Sequence, residues 1–389
     1  MASVAVRRSS LLIFVGIGAA TAAAHIGNNF TPYLVGGLID RFGFTPLEMG
    51  AWSMVETLAY AFALFILAPR VATLSARKLA LASTVVVVAS QLGSTLGSQY
   101  LPLLALRITT GVGYGLMNAA LNLAAGQTDR PDRTISAGLA MQTLLFAAVN
   151  IGLPIVGAEY GYRGMFVALA ALSLVLAPAL LMLPDSGAAP VVVSDNKPRV
   201  RLDPNAIRVI AAMALFAFGS LAIWPFVERS ARAVGLSTVE FGRYQSLATL
   251  LSAGSNMALV VLAARVQRSY ATAGALLVTG VACAVLTTAG GPVVFAIALI
   301  LYNAAWFVTY PMILGAAFAV DPSGQLSIRT TGTWLLAQSA GALGAGAIAQ
   351  IFGNYGPIGP MGLVFCIVAI VVILPLVRRI DGATGRIRT

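Results

Sequence analysis

Three ionisable side chains stand inside stretches of sequence that are otherwise apolar. Arg107 opens the segment RITTGVGYGLMNAALNLAAG, Glu56 follows AWSMV, and His25 is the single histidine of the chain. A buried charge is costly unless a partner compensates it. Burial raises the pKa of a carboxylic acid, and a nearby cation lowers it. A carboxylate whose contact with a guanidinium changes between conformations therefore acts as a proton switch. We predict that Glu56 and Arg107 meet and form such a switch.

In this interpretation Glu56 binds a coupling proton, Arg107 holds the carboxylate or an anionic substrate, and His25 tunes the pair or relays the proton. A static interpretation stays open beside it. There, Glu56 and Arg107 only lock two helices together, and His25 is only hydrogen-bonded between helices. For Glu56 and Arg107 we favour the proton switch over the static lock.

Uncharged polar and aromatic side chains recur at spacings of three and four residues in the same kind of segment. Residues at these spacings share one face of a helix. We therefore predict a polar cavity in which these side chains bind a small-molecule substrate. The predicted binding residues are Asn28, Asn29, Tyr60, Asn118, Asn122, Gln142, Gln245, Asn256, Tyr302, Asn303, Trp306, Tyr310, Trp334 and Gln338.

Composition identifies the elements that carry these residues. Of the 389 residues, 59% are hydrophobic and only 10% are charged, whereas a soluble domain carries about 25% charged residues. Apolar runs of about 20 residues, enough to cross a bilayer as a helix, recur along the whole chain. The sequence predicts an all-α polytopic membrane protein with twelve spans, near 11–38, 46–68, 78–97, 101–126, 135–157, 163–183, 207–227, 241–263, 270–289, 292–319, 330–351 and 359–377.

The distribution of basic residues predicts the orientation in the membrane. Most of the 24 Lys and Arg residues fall on one side of the predicted topology, and the positive-inside rule puts that side, with both termini, in the cytoplasm. The net charge of +11 therefore calls for no nucleic-acid partner. Charged residues at the opposite ends of spans are predicted to be solvated or to form gate contacts. These are Asp40, Arg41, Glu228, Arg229 and Arg232.

Two pairs of similar stretches divide the chain into halves. GFTPLEMG and GLSTVEFG begin at Gly43 and Gly235, an offset of 192 residues (235 − 43), and EYGYRG in the first half resembles GNYGPIG in the second. The pattern predicts an N-terminal six-helix bundle over 1–183, a cytoplasmic linker over 184–206 and a C-terminal six-helix bundle over 207–389. The start of the chain imitates a secretion signal, but its partner in the repeat is internal, which favours a retained first span.

The motifs resemble those of the major facilitator superfamily of secondary transporters. The sequence RITTGVGYG, with Arg107, Gly111, Gly113 and Gly115, is similar to the family's fourth helix, and YGYRGMFVALAAL is similar to its junction of helices 5 and 6. Two signatures depart from the family pattern. PRVATLSARK carries Thr73 where the family has an acid, and VNIGLPIVGA lacks the glycine directly before the proline.

The resemblance implies two pseudo-symmetric bundles whose helices 3, 6, 9 and 12 support a cavity lined by the others. Gln91 is an exception to that plan, because it places a polar amide in the third span, which is a supporting helix. Cys283 and Cys366 have no metal-ligand spacing around them and are predicted to be packing residues. We expect no metal and no cofactor, and a chain that works as a monomer.

The sequence therefore predicts a proton-coupled secondary transporter of a small organic solute, working by alternating access. The fixed Arg107 suggests an organic anion or aromatic acid, and the expected location is the cytoplasmic (inner) membrane of a bacterium. Multidrug or lipid efflux by the same fold is an alternative. From other classes, a non-transporting sensor and an intramembrane enzyme stay open, although one histidine without a second ligand argues against a metalloenzyme.

Overall fold

A computed structural model gives the fold and describes residues 2–67, 74–128, 131–185, 203–262, 266–321 and 325–385. The secondary structure of the described residues is helical, as expected for a chain whose backbone groups must be satisfied internally in lipid. The helices are α1 (Ala2–Phe42), α2 (Pro46–Leu67), α3 (Ala76–Ser94), α4 (Tyr100–Ala125), α5 (Pro131–Leu180), α6 (Pro204–Ala222), α7 (Val227–Ala233), α8 (Thr238–Leu262), α9 (Arg268–Thr288), α10 (Pro292–Val320), α11 (Gln325–Phe352) and α12 (Ile358–Gly385).

Two predicted boundaries differ from the structure. The fifth and sixth predicted spans form the continuous element α5, whose direction changes at Gly161, the one residue of α5 with a non-helical backbone (φ 64, ψ −161). The seventh predicted span, 207–227, is instead divided into α6, a 3-10 turn at Trp224–Phe226 and α7. Pro225 lies in that turn, and proline removes a helical donor and ends or kinks a helix.

Seven helical segments of the described chain are long and apolar enough to cross a membrane. They are Pro46–Leu67, Thr134–Leu180, Pro204–Ala233, Arg268–Thr288, Pro292–Val320, Gln325–Phe352 and Ile358–Gly382.

The helices sort into two compact units. The first contains α1, the part of α2 from Val55 onward, and α3 to α5; the second contains Thr45–Met54 and the helices from α6 onward. Within the first unit, α1 packs on α4 and α5, and α3 packs on the same two helices. Within the second, α12 packs on α6 and α9, α10 on α8 and α9, and α11 on α6. Most of the predicted linker 184–206 lies outside the described residues.

The sequence repeat is visible in the backbone. Four glycines of the described chain have a positive φ: Gly43 (67°), Gly161 (64°), Gly235 (89°) and Gly353 (66°). They form two pairs with the same offset, since 43 + 192 = 235 and 161 + 192 = 353. The two halves of the sequence therefore turn their chains in the same way at equivalent points.

The helices that follow the first pair of glycines also begin alike. At the start of α2, the Thr45 amide donates to Glu48 Oε2 (2.7 Å) and the Glu48 amide donates to Thr45 Oγ1 (3.2 Å). At the start of α8, Ser237 and Glu240 exchange the same two bonds, at 2.8 and 3.2 Å. This reciprocal arrangement is a capping box, and it gives the resemblance of GFTPLEMG and GLSTVEFG a physical meaning.

Substituting Gly161 or Gly353 by alanine is expected to lower stability by about 1–2 kcal/mol, because an L-residue is strained at positive φ. A methyl group at either position would meet no atom within 4 Å, so the cost is one of backbone conformation alone. Thermal unfolding of the purified protein in detergent measures it. Gly152→Ala and Gly274→Ala are matched controls, since these helical positions are equally open. Equal melting temperatures for all four variants would contradict the prediction.

Candidate functional site

Glu56 and Arg107 form an ion pair inside the first unit. Arg107 Nη1 lies 2.8 Å from Glu56 Oε2, and the exposed fractions of the two side chains are 2% and 5%. The helices that carry them, α2 and α4, approach closely because Gly111 and Gly115 of α4 face the backbone carbonyls of Glu56 and Tyr60. Small residues permit such close crossings of membrane helices. The glycines next to Arg107 therefore place the guanidinium within reach of the carboxylate.

Helix α1 contributes a third partner, which the sequence did not single out. Arg107 Nη2 donates to Thr31 Oγ1 at 2.7 Å, and the Thr31 hydroxyl in turn donates to the Gly27 carbonyl at 2.9 Å. A β-carbon at position 27 would lie 2.6 Å from Glu56 Oε1, so Gly27 leaves room for the carboxylate. No feature of the sequence marks Thr31 as this partner.

The Thr31→Val variant is expected to lose about 1–2 kcal/mol of stability, because one N–H of a buried guanidinium is left without its acceptor. Thr109→Val is the matched control: the Thr109 hydroxyl also donates to the carbonyl one turn earlier, at 3.0 Å, but lies on an exposed face of α4. Thermal unfolding of both variants and of Thr31→Ser, which keeps the hydroxyl, measures the effect. A stable valine variant, or a serine variant as unstable as valine, would show that Thr31 does not position Arg107.

Gln91 departs from the expected plan for a physical reason. Its Nε2 donates to the Tyr114 hydroxyl at 3.0 Å, and both residues are at most 2% exposed. Tyr114 also packs against Gly27, at the side where the Glu56 carboxylate lies. Gln91 therefore fixes the ring of Tyr114, which forms one wall of the ion-pair site.

His25 lies on α1 with Gln142 of α5 as its partner. His25 Nδ1 and Gln142 Oε1 are 2.7 Å apart, and the side-chain Nδ2 of Asn29 donates to the backbone carbonyl of His25 at 2.9 Å. His25, Asn28, Asn29 and Gln142 are all half-buried. The structure thus joins three predicted site residues in a small polar group between α1 and α5.

The remaining predicted residues of the first unit are more open. Asn122 donates to the side-chain oxygen of Asn118 at 2.6 Å and to its carbonyl at 3.0 Å. Asn122 is exposed, whereas Asn118 and Tyr60 are half-buried. These three side chains follow the ion pair along α2 and α4, toward the ends of the helices.

In the second unit, the structure brings together Gln245 of α8 and Asn303 of α10. Gln245 Nε2 donates to Asn303 Oδ1 at 3.3 Å, and Asn303 Nδ2 donates to the Leu299 carbonyl at 2.8 Å. Tyr302 is placed differently, because it is buried and donates its hydroxyl to the Ser220 carbonyl at 2.9 Å. Gln338 is buried in α11, and the side chain of Asn256 lies outside the described part of the structure.

Four aromatic rings cluster on α6, α10 and α11. Trp306 stacks on Tyr310 with ring centroids 5.6 Å apart and planes 7° apart, and on Phe216 at 6.0 Å and 30°. Trp334 packs against Trp306 and Tyr310 at 6.4 and 5.4 Å. Three predicted binding residues, Trp306, Tyr310 and Trp334, are therefore in mutual contact, and Phe216 is an addition that the sequence analysis missed.

Of the two environments predicted for Glu228, a solvated span end and a gate contact, the solvated one is wrong, and the gate contact stays a prediction. Glu228 is 1% exposed, accepts a hydrogen bond from Thr238 Oγ1 at 2.7 Å and lies 3.5 Å from the Nε of Arg229. The reason is the break in the seventh span: α7 packs against α8 and α9, which covers the carboxylate. Arg229 is 12% exposed in its side chain, whereas Asp40, Arg41 and Arg232 are exposed.

An acid near the start of α3 pairs with the basic residues of the altered PRVATLSARK motif. Arg77 lies 3.8 Å from Asp185 and donates its Nε to the Leu183 carbonyl at 2.9 Å, while the Ser75 hydroxyl donates to Asp185 at 2.8 Å. The Ser75 hydroxyl holds the pKa of Asp185 below its ordinary value, with further help from Arg77. The contact therefore persists at neutral pH and weakens only as the pH falls through that lowered pKa. Thr73 itself lies outside the described residues.

The described residues contain no group of three or more His, Cys, Asp or Glu side chains that could hold a metal ion. Cys283 and Cys366 are both buried free thiols, which is consistent with packing roles. The described helices therefore bury an ion pair, amides and aromatic rings, which is typical of a membrane transporter.

The sequence profile of the Major Facilitator Superfamily matches residues 13–327, and the chain belongs to this family. The protein is accordingly a multi-pass membrane transporter and not an enzyme, and the predicted all-α polytopic fold is confirmed. A search of curated proteins found no match.

Several solved transporters share the fold. The nucleoside transporter NupG is 16% identical with a TM-score of 0.68, over 94% of this chain and 98% of that one. The peptide transporter POT in complex with sulfate is 13% identical with a TM-score of 0.73, over 94% and 95%. A bacterial homolog of the human lysosomal transporter Spinster, in an inward-facing and unoccupied conformation, is 15% identical with a TM-score of 0.67, over 95% and 97%. At these identities the likeness shows the fold alone.

Proposed function

We propose that this protein is a proton-coupled secondary active transporter that moves a small organic solute across the cytoplasmic membrane by alternating access. Glu56 takes up the coupling proton, Arg107 holds the carboxylate when it is charged, and His25 tunes or relays the proton. The observation that carries the proposal is the Glu56–Arg107 pair, 2.8 Å apart and almost fully buried.

The cost of breaking this pair is what couples the proton to a conformational change. Removing one partner of a buried ion pair costs about 3–5 kcal/mol, because the other charge is left uncompensated. Protonating Glu56 has the same effect, because it leaves the positive charge of Arg107 uncompensated. The protonated state is therefore favoured only in a conformation in which Arg107 meets water or an anion, so that proton binding and exposure of the site proceed together.

The pair has no counterpart in the second half of the sequence. At the offset of 192 residues, Glu56 corresponds to Ala248 (56 + 192) and Arg107 to Leu299 (107 + 192), and both are fully buried apolar residues. The amides of Gln245 and Asn303 take over the polar bridge between α8 and α10. The asymmetry supports a division of work, with the proton handled in the first unit.

The solute is proposed to be a small organic molecule bound by the amide and aromatic side chains. Arg107 favours an organic anion such as an aromatic acid, since neutralising Glu56 frees the guanidinium for another acid. The named relatives carry nucleosides and peptides, which differ too much to assign one substrate here. The predicted binding residues that the structure describes are Asn28, Asn29, Tyr60, Asn118, Asn122, Gln142, Gln245, Tyr302, Asn303, Trp306, Tyr310, Trp334 and Gln338.

We further propose that both termini lie in the cytoplasm of a bacterium and that the transporter works as a monomer. The support for the orientation is the positive-inside distribution of Lys and Arg. Fusing an alkaline phosphatase or a fluorescent protein to the C-terminus tests the orientation, since the first is active outside the cytoplasm and the second inside it.

The proposal is tested first by a thermal-shift screen of small organic solutes at pH 5.5 and pH 7.5, roughly one unit on either side of the pKa of an unperturbed histidine. A solute that stabilises the protein to different extents at the two pH values is then followed into proteoliposomes. We expect an imposed pH gradient to drive its accumulation and a protonophore to abolish it. Flux that is indifferent to both would overturn proton coupling while leaving a transporter.

A further inference from the structure

Several polar atoms of the second unit are buried without a hydrogen-bond partner among the described residues, and three of them concern us here. They are the side-chain oxygen of Gln245 and the indole nitrogens of Trp306 and Trp334. Buried polar groups in native proteins almost always have a partner, and each exception calls for an explanation. An indole N–H is a donor only, and an amide oxygen is an acceptor only. The set therefore lacks both an acceptor and a donor.

Gln245, Trp306 and Trp334, which carry the three atoms, are linked through residues of α10. Gln245 reaches Asn303 of α10 at 3.3 Å, and Trp306 follows Asn303 by three residues on the same face of the helix. Trp334 of α11 contacts Trp306, with ring centroids 6.4 Å apart. We call Gln245, Asn303, Trp306, Tyr310 and Trp334 the α8–α10–α11 cluster.

The cluster presents flat surfaces as well as polar atoms. Trp306 and Tyr310 stack with planes only 7° apart, and Trp334 is tilted by 53° and 59° against them. Aromatic rings of this kind favour stacked or edge-on partners and contribute about 0.5–1.5 kcal/mol per pair beyond the area that they bury. A planar ligand would gain this contact, whereas a saturated ring of similar size would gain less of it.

We infer that the α8–α10–α11 cluster binds a planar, uncharged heterocyclic edge that carries a carbonyl and an N–H side by side. The carbonyl accepts from the two indole N–H groups, and the N–H donates to Gln245 Oε1. The inference rests on the proposed function, since it names the ring chemistry of the transported solute. A simple aromatic carboxylate would satisfy the indoles but would leave the oxygen of Gln245 unpaired, because it has no donor.

The polar atoms are covered in this structure, which defines what binding must do. Each has almost no exposed surface, although Trp306 and Trp334 as whole residues are half-buried. The ligand therefore enters by separating the rings of Trp306 and Trp334. Its carbonyl then accepts from the two indole N–H groups, which have no acceptor in this structure. Binding should consequently change the surroundings of both indoles, which fluorescence reports.

The experiment titrates the purified protein in detergent with three probes at one pH, and follows tryptophan fluorescence. Uracil is planar and carries adjacent carbonyl and N–H groups. 1,3-Dimethyluracil keeps the plane and the carbonyls but has no N–H donor, and 5,6-dihydrouracil keeps the donors and acceptors but is not planar. We expect uracil to quench the fluorescence saturably and the other two to bind weaker by on the order of tenfold, because a polar site rejects analogues that leave its groups unpaired.

Variants assign the signal to the cluster. Trp306→Phe and Trp334→Phe keep a ring but remove the donor, and each is expected to weaken uracil binding roughly fivefold to tenfold. Trp224→Phe removes a fluorophore outside the cluster and should leave the affinity unchanged. Because the comparison of the three probes uses the unaltered protein, a variant that fails to fold does not remove the test. Equal affinity for all three probes, or no quenching by uracil at millimolar concentration, would overturn the inference.

The outcome is separable from that of the proposed function. The titration is made without a pH gradient, so a protein that lacks proton coupling still gives the expected order of probes. Conversely, flux driven by a pH gradient with no preference for uracil over 1,3-dimethyluracil would leave the proposed function standing and would overturn only the chemistry assigned to the cluster.

Discussion

The Glu56→Gln variant is expected to lose transport driven by a pH gradient by a factor of about 100 or more, while it still exchanges solute between compartments of equal pH. Glutamine keeps the shape of glutamate and offers Arg107 an oxygen, but it takes up no proton. The free energy that ties proton binding to the conformational change is the cost of leaving Arg107 unpaired, about 3–5 kcal/mol, and 2.7 kcal/mol already corresponds to roughly 100-fold.

The measurement compares two assays on the same proteoliposomes. Accumulation under an imposed pH gradient reports coupling, and exchange of labelled for unlabelled solute at equal pH reports that the protein binds and changes conformation. Glu159→Gln is the matched control, because it makes the same chemical change at an exposed position of α5. It should behave as the unaltered protein in both assays.

Two results would decide against the proton switch. Full pH-driven accumulation by Glu56→Gln would show that the pair is a static lock between α2 and α4. Loss of both assays together, with a melting temperature close to that of the unaltered protein, would show that the carboxylate serves the conformational change or the solute rather than the proton.

Much of the site was predictable because the cost of an isolated charge in an apolar segment is large. Glu56 and Arg107 stood in such segments, and the structure places them 2.8 Å apart. The backbone repeat was equally accessible, since an offset of 192 residues in the sequence recurs in the positive-φ glycines and in the capping boxes of α2 and α8. Both signals lie in short stretches of the sequence, and both are found again in the structure.

The partners that complete the site were not predictable, for specific reasons. Thr31 donates to the carbonyl one turn earlier, as threonines in membrane helices commonly do, so nothing in the sequence marks its oxygen as the acceptor for Arg107. Gln91 and Tyr114 meet across two helices whose relative rotation the sequence does not specify. Glu228 is buried because of how α7 packs after the break at Pro225, and proline signals a break without its direction.

The Gly111→Ala variant is expected to be the most destabilised single-methyl change in the first unit, by about 3 kcal/mol or slightly more, at the upper end of the range for overpacking. A β-carbon at this position would collide with the backbone carbonyl oxygen of Glu56 and lie 3.0 Å from the Ala59 side chain. Backbone cannot rotate away as a side chain can, so α2 and α4 must separate. Arg107 lies one turn before Gly111 on α4, and that separation also lengthens its contact with Glu56.

The change should therefore lower both the melting temperature and the pH-driven accumulation. The separation of α2 and α4 lowers the first, and the longer contact between Glu56 and Arg107 lowers the second. Gly113→Ala is the graded comparison, because its β-carbon would meet the side chain of Val87 at 2.6 Å rather than backbone, and α3 can adjust there at less cost. Gly152→Ala, with nothing within 4 Å, sets the baseline. The contrary result is that Gly111→Ala has the same melting temperature as Gly152→Ala and still accumulates solute. In that case the close crossing of α2 and α4 does not hold the carboxylate against the guanidinium. The pair must then be positioned from α1, through Thr31 and Gly27.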